Sequence, residues 1–160
     1  MSLVKCYVHA VWAVKYRRRL LDRERMRGVL VQSVHEMLVA RGHYPIITNF
    51  EPDHVHSIFG FSMREDISLT MKAVKGGSSR RLNEVFFGAD APFRWQKGYG
   101  VFSVCPTHVG SKAQYVRDQQ IIHAYRDFLK EYDQLVAEHP PLELHPNDGH
   151  VHYFDPLVDA

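Results

Sequence analysis

The sequence has few of the features that mark specialised protein classes. It contains two cysteines, Cys6 and Cys105, whose number and separation fit neither a metal knuckle nor a redox motif. We therefore expect both to be buried thiols of a protein in the reducing cytoplasm. Its apolar runs fall short of the roughly 18–20 residues that cross a bilayer, and Lys5 and His9 interrupt the apolar N-terminus. The sequence thus predicts a cytoplasmic protein with no membrane partner and no signal peptide.

A strong excess of charge of one sign is also missing. The chain has 20 Lys and Arg against 18 Asp and Glu, which gives a net charge of +2 over 160 residues. Arg and Lys nevertheless concentrate in residues 15–27 and 72–81, whereas acidic residues gather in the C-terminal third. This distribution predicts one basic face on a nearly neutral protein.

The hydrophobic pattern is that of one α+β domain, and 45% hydrophobic residues suffice for a core. The predicted strands are residues 3–14, 43–51, 54–61 and 98–105, and the predicted helices are residues 23–40, 67–87 and 111–139. The order β-α-β-β-α-β, followed by a C-terminal helix, predicts a ferredoxin-like (RRM-like) antiparallel sheet with two helices on one face. We expect residues 1–139 to form the domain and residues 140–160 to form a tail.

Local signals mark the helix ends. Asp22 is suited to cap the first helix, and Gly42 is suited to end it in a left-handed conformation. The pair Gly76-Gly77 predicts a soft point inside the second helix.

The segment His54-Val55-His56 lies in the third predicted strand. Because side chains alternate across a strand, His54 and His56 should share one face while Val55 points to the other. Two imidazoles on one face make a workable nitrogen site for a divalent metal. The spacing alone leaves open that these are ordinary strand histidines.

The last predicted helix carries Tyr115 and Gln119, four residues apart and therefore on one helical face. If this face meets the two histidines, Gln119 would add an oxygen ligand and Tyr115 would be a nucleophile. A metal on a phosphate oxygen neutralises charge and aligns a phosphodiester, and a tyrosine that attacks it conserves the bond in a covalent intermediate. An ordinary tyrosine of an amphipathic helix is the alternative for Tyr115.

Five segments together carry a family pattern. They are residues 9–20 (HAVWAVKYRRRL), 53–61 (DHVHSIFGF), 72–81 (KAVKGGSSRR), 95–104 (WQKGYGVFSV) and 115–123 (YVRDQQIIH). In this order they resemble the single-tyrosine HUH transposases of bacterial insertion sequences, the insertion-sequence 200/605 group, and the related REP-associated tyrosine transposases. The resemblance runs from Tyr7 to Leu135.

The resemblance implies cleavage and rejoining of single-stranded DNA at hairpins. His54, His56 and Gln119 would bind Mg²⁺ or Mn²⁺, and Tyr115 would attack the scissile phosphate to leave a 5′-phosphotyrosine and a 3′-hydroxyl. It also implies a homodimer, in which the tyrosine helix of one subunit can complete the other's site. Gln120 follows Gln119, so the ligand assignment could shift by one residue, although the four-residue spacing favours Gln119.

A nuclease would use its basic residues to position the DNA backbone. The residues predicted to bind DNA are Lys15, Arg17, Arg18, Arg19, Lys72, Lys75, Arg80, Arg81, Arg94 and Lys97. Tyr16, Phe93 and Trp95 are suited to stack on unpaired bases. A solvated charged face and core aromatics are the alternatives.

Three other functions stay open at this point. A domesticated REP-associated enzyme would cut host repeats, and a ferredoxin-like hairpin-binding module would bind without catalysis. A structural metal site would need a fourth ligand. The tail repeats the His-x-His pattern as His150-Val151-His152, which we interpret as loop histidines.

Overall fold

The computed structural model of the chain describes residues 3–119 and 128–139. Its strands are β1 (Tyr7–Ala13), β2 (Tyr44–Glu51), β3 (His54–Gly60) and β4 (Gly100–Val104). Its helices are α1 (Arg23–Ala40), α2 (Ile67–Val85), α3 (Val109–Arg117) and α4 (Phe128–Glu138). Short 3₁₀ turns follow β1 and β4 at Lys15–Arg17 and Pro106–His108.

The four strands form one antiparallel sheet in the order β2-β3-β1-β4. β2 and β3 form a hairpin, and β1 lies in the centre between β3 and β4. This is the order that two split β-α-β units produce, so the ferredoxin-like prediction is confirmed.

Helices α1 and α2 cover one face of the sheet and form the main core with it. Trp12 of β1 and Val55 and Phe59 of β3 pack there against buried residues of both helices, such as Leu30 and Val74. Asp22 caps α1 by accepting a hydrogen bond from the backbone of Arg25 at 3.0 Å, and Gly42 has φ +77° after its end. Both end signals therefore act as predicted.

The soft point predicted in α2 is not observed, because the helix is continuous through Gly76 and Gly77. A Cβ atom on Gly77 would lie 2.7 Å from the sulfur of Met37 on α1, whereas nothing lies within 4 Å of the same position on Gly76. Gly77 therefore serves the close approach of α1 and α2.

Helices α3 and α4 contact the opposite face of the sheet. α3 packs on β2 and β3, while Tyr132 and Leu135 of α4 pack with Val11, Ala13 and Phe102. The prediction of one helix over residues 111–139 was wrong, because α3 ends at Arg117 and Asp118 has φ −90° and ψ 13°.

Two further predictions concern the periphery of the molecule. Cys6 is half-buried and Cys105 is exposed, so the expected burial of Cys105 was wrong. No helix among the described residues is long and apolar enough to cross a membrane. The predicted tail, residues 140–160 with its histidines, and Gln120 lie outside the described residues.

Candidate active site

His54 and His56 lie on the face of the sheet opposite α1 and α2. Both side chains are almost fully buried, at 1% and 0% exposure, and their ring centroids are 5.0 Å apart. Val55 between them packs in the core on the other face. The alternation predicted for this strand is therefore observed, and the two imidazoles are neighbours.

Asp53 and Arg17 hold the ring of His54. Nδ1 of His54 lies 2.7 Å from Oδ1 of Asp53, while Oδ2 of Asp53 accepts from Nε and Nη2 of Arg17 at 3.2 and 2.8 Å. Burial alone would raise the pKa of Asp53, but the hydrogen bonds and charges of His54 and Arg17 outweigh it and hold that pKa well below its usual range. Since a carboxylate only accepts, His54 donates from Nδ1, and in the neutral imidazole its Nε2 then keeps the lone pair.

His56 has a different neighbour, which the sequence did not single out. Nε2 of His9 lies 2.9 Å from Nδ1 of His56, and both rings are buried. His9 sits on β1, two residues before Val11, the residue paired with His56. The alternation of β1 indicates which residues share a face with His9, but predicting its contact with His56 requires the register between β1 and β3.

Asn49 connects the tyrosine helix to this face, and sequence reasoning missed it as well. It pairs with His56 across β2 and β3, and its Nδ2 donates to the carbonyls of Val116 and Arg117 at 2.8 and 3.3 Å. The C-terminal end of α3 is therefore fixed beside His56. A hydrogen bond of this kind produces no periodic pattern in the sequence, so it could not be predicted.

Tyr115 and Gln119 lie on either side of the end of α3. Tyr115 is in the last turn of the helix and half-buried, whereas Gln119 follows the cap residue Asp118 and has 0% exposure. The single helical face expected for the pair is thus interrupted. The segment that carries both residues is nevertheless held against the sheet by Asn49.

The donor atoms of this face fit a divalent metal. Each histidine has its Nδ1 within hydrogen-bond distance of another side chain, so Nε2 is the candidate metal-binding nitrogen of both rings. Within residues 3–119 and 128–139, no group of three or more His, Cys, Asp or Glu could hold a metal. Gln119, the third ligand suggested by the sequence, is fully buried just after the end of α3.

Part of the predicted DNA surface surrounds an open cavity of about 490 Å³. Lys15, Arg18 and Arg94 line it together with Tyr16, a residue that is 73% exposed. The Lys15 ammonium and the Arg18 guanidinium lie 5.2 and 5.6 Å from the centre of the Tyr16 ring. A cavity with three cations and an exposed aromatic ring is suited to nucleic acid.

The remaining basic residues divide into two groups. The exposed members are Arg19, Lys72, Arg80, Arg81 and Lys97. Lys75 instead donates to the carbonyls of Gln96 and Gly98 at 2.7 and 2.6 Å, and burial lowers the pKa of its ammonium to about 8. Arg17 is held by Asp53, as described above. These two cations therefore have internal partners.

The stacking role suggested for Phe93 and Trp95 was wrong, because both rings belong to the core. Trp95 packs edge-on against Phe93 and donates from Nε1 to the hydroxyl of Ser78 at 3.0 Å. The segment of residues 72–81 thus holds the loop before β4, through Lys75 and Ser78.

The fold places the chain in a class of known structures. A crystal structure assigned as a transposase from Deinococcus radiodurans matches with a TM-score of 0.59 at 27% identity, covering 74% of this chain and 93% of that chain. A REP-associated tyrosine transposase bound to a REP hairpin matches with a TM-score of 0.56 at 14% identity, covering 97% and 92%. The described architecture is thus that of transposase domains.

The family follows from the sequence itself. The model of the family described as IS200-like transposases matches residues 2–119, and the chain therefore belongs to this family. The ISDra2 transposase TnpA of Deinococcus radiodurans is 28% identical over 118 residues, which cover 69% of this chain and 81% of the relative. The resemblance drawn from five short segments is confirmed.

Proposed function

We propose that this transposase cuts and rejoins single-stranded DNA at hairpin-flanked sites, through a covalent 5′-phosphotyrosine and with a divalent metal. One observation carries the proposal. Two buried histidines with oriented rings lie on the face of the sheet where Asn49 anchors the helix that bears Tyr115. A site built only for hairpin binding has no need of this combination.

The metal would be held by Nε2 of His54, Nε2 of His56 and the amide oxygen of Gln119. Two imidazoles and one amide would leave positions on an octahedral Mg²⁺ or Mn²⁺ open for phosphate oxygen and water. When bound, the ion neutralises charge on the scissile phosphate and aligns it for attack. The chain's own contribution is orientation, because Asp53 and His9 fix the two rings.

Tyr115 would be the nucleophile. Its phenolic oxygen forms a bond to phosphorus, the bond from phosphorus to the 3′-oxygen breaks, and that oxygen takes up a proton to become a 3′-hydroxyl. The phosphotyrosine retains the energy of the broken bond. A second 3′-hydroxyl can then attack the phosphorus and release Tyr115, which joins the strands with no external energy source.

The DNA partner would lie along the cavity beside the turn after β1. Lys15, Arg18 and Arg94 are placed to contact phosphates, and Tyr16 is placed to stack on an unpaired base. The exposed residues Arg19, Lys72, Arg80, Arg81 and Lys97 would extend this surface. The REP-associated relative was solved with a hairpin bound, which supports a hairpin as the partner here.

We further propose that each active site is assembled within one chain, even if the protein is a homodimer. Asn49 binds the end of α3 of its own chain, and β4 and α3 are joined by only a short segment around Pro106–His108. Both features favour a tyrosine that serves the histidines of the same subunit.

Metal-dependent cleavage of labelled oligonucleotides tests the proposal. We expect the protein to cut single-stranded DNA hairpins with Mn²⁺ or Mg²⁺ and to be inactive with excess chelator. His56→Ala should lose cleavage by at least about 100-fold, since removal of a metal ligand removes the site. The control is His108→Ala, because His108 is an exposed histidine that makes no side-chain cap bond at α3.

Equal cleavage by His56→Ala and the wild type would contradict the metal site. Tight hairpin binding by the wild type without cleavage of any hairpin would favour the non-catalytic module. Cleavage of host repeat hairpins in preference to the ends of a mobile element would identify a domesticated enzyme.

A further inference from the structure

We propose that His9 is a positioning residue that sets His56 in the tautomer able to bind the metal. The inference rests on the proposed metal site and adds a residue to it. His9 lies on β1, on the same face as His54 and His56, and is 1% exposed. Its Nε2 is 2.9 Å from Nδ1 of His56, with the ring centroids 5.1 Å apart.

A hydrogen bond between two imidazole nitrogens contains one proton. When both rings are neutral, either Nδ1 of His56 or Nε2 of His9 carries it. If Nδ1 of His56 carries the proton, Nε2 of His56 has the lone pair that a metal needs. If Nε2 of His9 carries it, the proton of His56 must reside on Nε2, and that nitrogen cannot bind a metal. Only an accepting His9 is therefore compatible with the site.

The two histidine ligands differ in how their tautomers are set. The Asp53 carboxylate, held by Arg17, can only accept, so Nδ1 of His54 must carry the proton of their hydrogen bond. His9 is an imidazole, so the direction of its bond to His56 follows the proton positions of both rings. The metal-binding form of His56 thus requires Nε2 of His9 to accept.

β1 holds the ring of His9 in place for this bond. His9 is paired with Ile58 on β3 and with Phe102 on β4, in the centre of the sheet. A side chain at this position has neighbours on both sides and little freedom to turn away. The geometry therefore points to a fixed neighbour of His56 that is placed to accept from its Nδ1, rather than to an incidental contact.

Two substitutions separate the acceptor from the volume of the side chain. His9→Gln retains a side-chain oxygen that can accept from Nδ1 of His56, whereas His9→Leu fills similar space without an acceptor. We expect His9→Leu to weaken Mn²⁺ binding by about 10–100-fold and His9→Gln to stay within a few-fold of wild type. Electron paramagnetic resonance titration of Mn²⁺ without DNA measures this directly, independent of cleavage.

A second readout does not need the variants to fold. Nitrogen-15 NMR of the metal-free wild-type protein should show His56 protonated at Nδ1 and His9 with an unprotonated Nε2. The opposite assignment would overturn the inference. Equal Mn²⁺ affinity of His9→Leu and wild type would also overturn it, as would equal weakening by Leu and Gln.

The His56→Ala variant distinguishes this inference from the function on which it rests. If His56→Ala abolishes Mn²⁺ binding and His9→Leu leaves it unchanged, the metal site stands and the role of His9 is wrong. If His56→Ala also binds Mn²⁺ like the wild type, both the metal site and the inference fail.

Discussion

At the scale of single residues, the turn after β1 serves two surfaces at once. Tyr16 and Arg17 both have left-handed backbones, with φ 59° and 55°, a conformation that costs a residue other than glycine about 1–3 kcal/mol. Arg17 bonds through its backbone to Val14 and through its guanidinium to Asp53. The same turn leaves Tyr16 exposed beside the basic cavity. The strain is thus found where the histidine support and the proposed DNA surface meet.

Arg17 is therefore expected to act on the metal site more than on DNA affinity. Arg17→Ala should weaken Mn²⁺ binding by roughly tenfold or more, because Asp53 loses the partner that holds it against His54. Arg18→Ala is the matched control on the same turn, and it should lower hairpin affinity and its salt dependence while Mn²⁺ binding is unchanged. Titrations with Mn²⁺ and with a fluorescent hairpin measure the two effects. The reverse pattern would contradict this assignment of Arg17.

At the scale of elements, the packing of α1 on α2 depends on one glycine of a pair. A Cβ atom on Gly77 would require the side chain of Met37 to shift, whereas the adjacent Gly76 has open space. The two positions are adjacent on the same helical backbone. They therefore separate the need for space from the conformational freedom of glycine.

We expect opposite signs for the two alanine substitutions. Gly77→Ala should lower the free energy of unfolding by about 1–3 kcal/mol, because Met37 or the helix must shift. Gly76→Ala should raise it by about 0.5–1 kcal/mol, since alanine loses less backbone freedom in a helix. Urea unfolding of both variants is the measurement. Equal effects would show that the contact with Met37 does not limit the spacing of α1 and α2.

The elements show where sequence reasoning succeeds and where it stops. The bounds of α1 were predictable because Asp22 and Gly42 act locally. The end of α3 at Arg117 has no such local signal in the sequence. Asn49, a residue far away in sequence, donates to the carbonyls of Val116 and Arg117 at this end.

The residues of the candidate site likewise divide into those that the sequence indicates and those that it does not. The shared face of His54 and His56 follows from strand alternation, which any one strand reveals. The contacts of His9 and Asn49 could not be predicted, because they depend on the register between strands. The burial of Trp95 could not be predicted either, because it depends on contacts such as the bond to Ser78. Residue types and spacing thus indicate the ligands, whereas the fold supplies their support.

At the scale of the whole molecule, the groups of the proposed site all belong to one chain. α3 packs on β2 and β3 of its own sheet, and Asn49 holds its end beside His56. A dimer of such chains would contain two independent sites. The sheet face that carries the histidines is covered by the chain's own α3 and α4.

Subunit mixing tests this arrangement. Heterodimers of Tyr115→Phe and His56→Ala, co-expressed with two different tags and purified through both, should not cleave DNA, because neither subunit holds both groups. Light scattering should first establish that two chains associate, and a wild-type heterodimer purified in the same way is the control. Recovery of cleavage in the mixed heterodimer would contradict a site formed within one chain.

The central claim is that Tyr115 forms a covalent bond to DNA, and a denaturing adduct assay tests it most directly. The protein is mixed with Mn²⁺ and a panel of single-stranded hairpins carrying a 3′ label, which stays with the fragment expected on the enzyme. We predict a labelled species that survives denaturation, is lost in Tyr115→Phe, and is retained in Tyr44→Phe, a control at an exposed tyrosine. An adduct that persists in Tyr115→Phe would contradict the account.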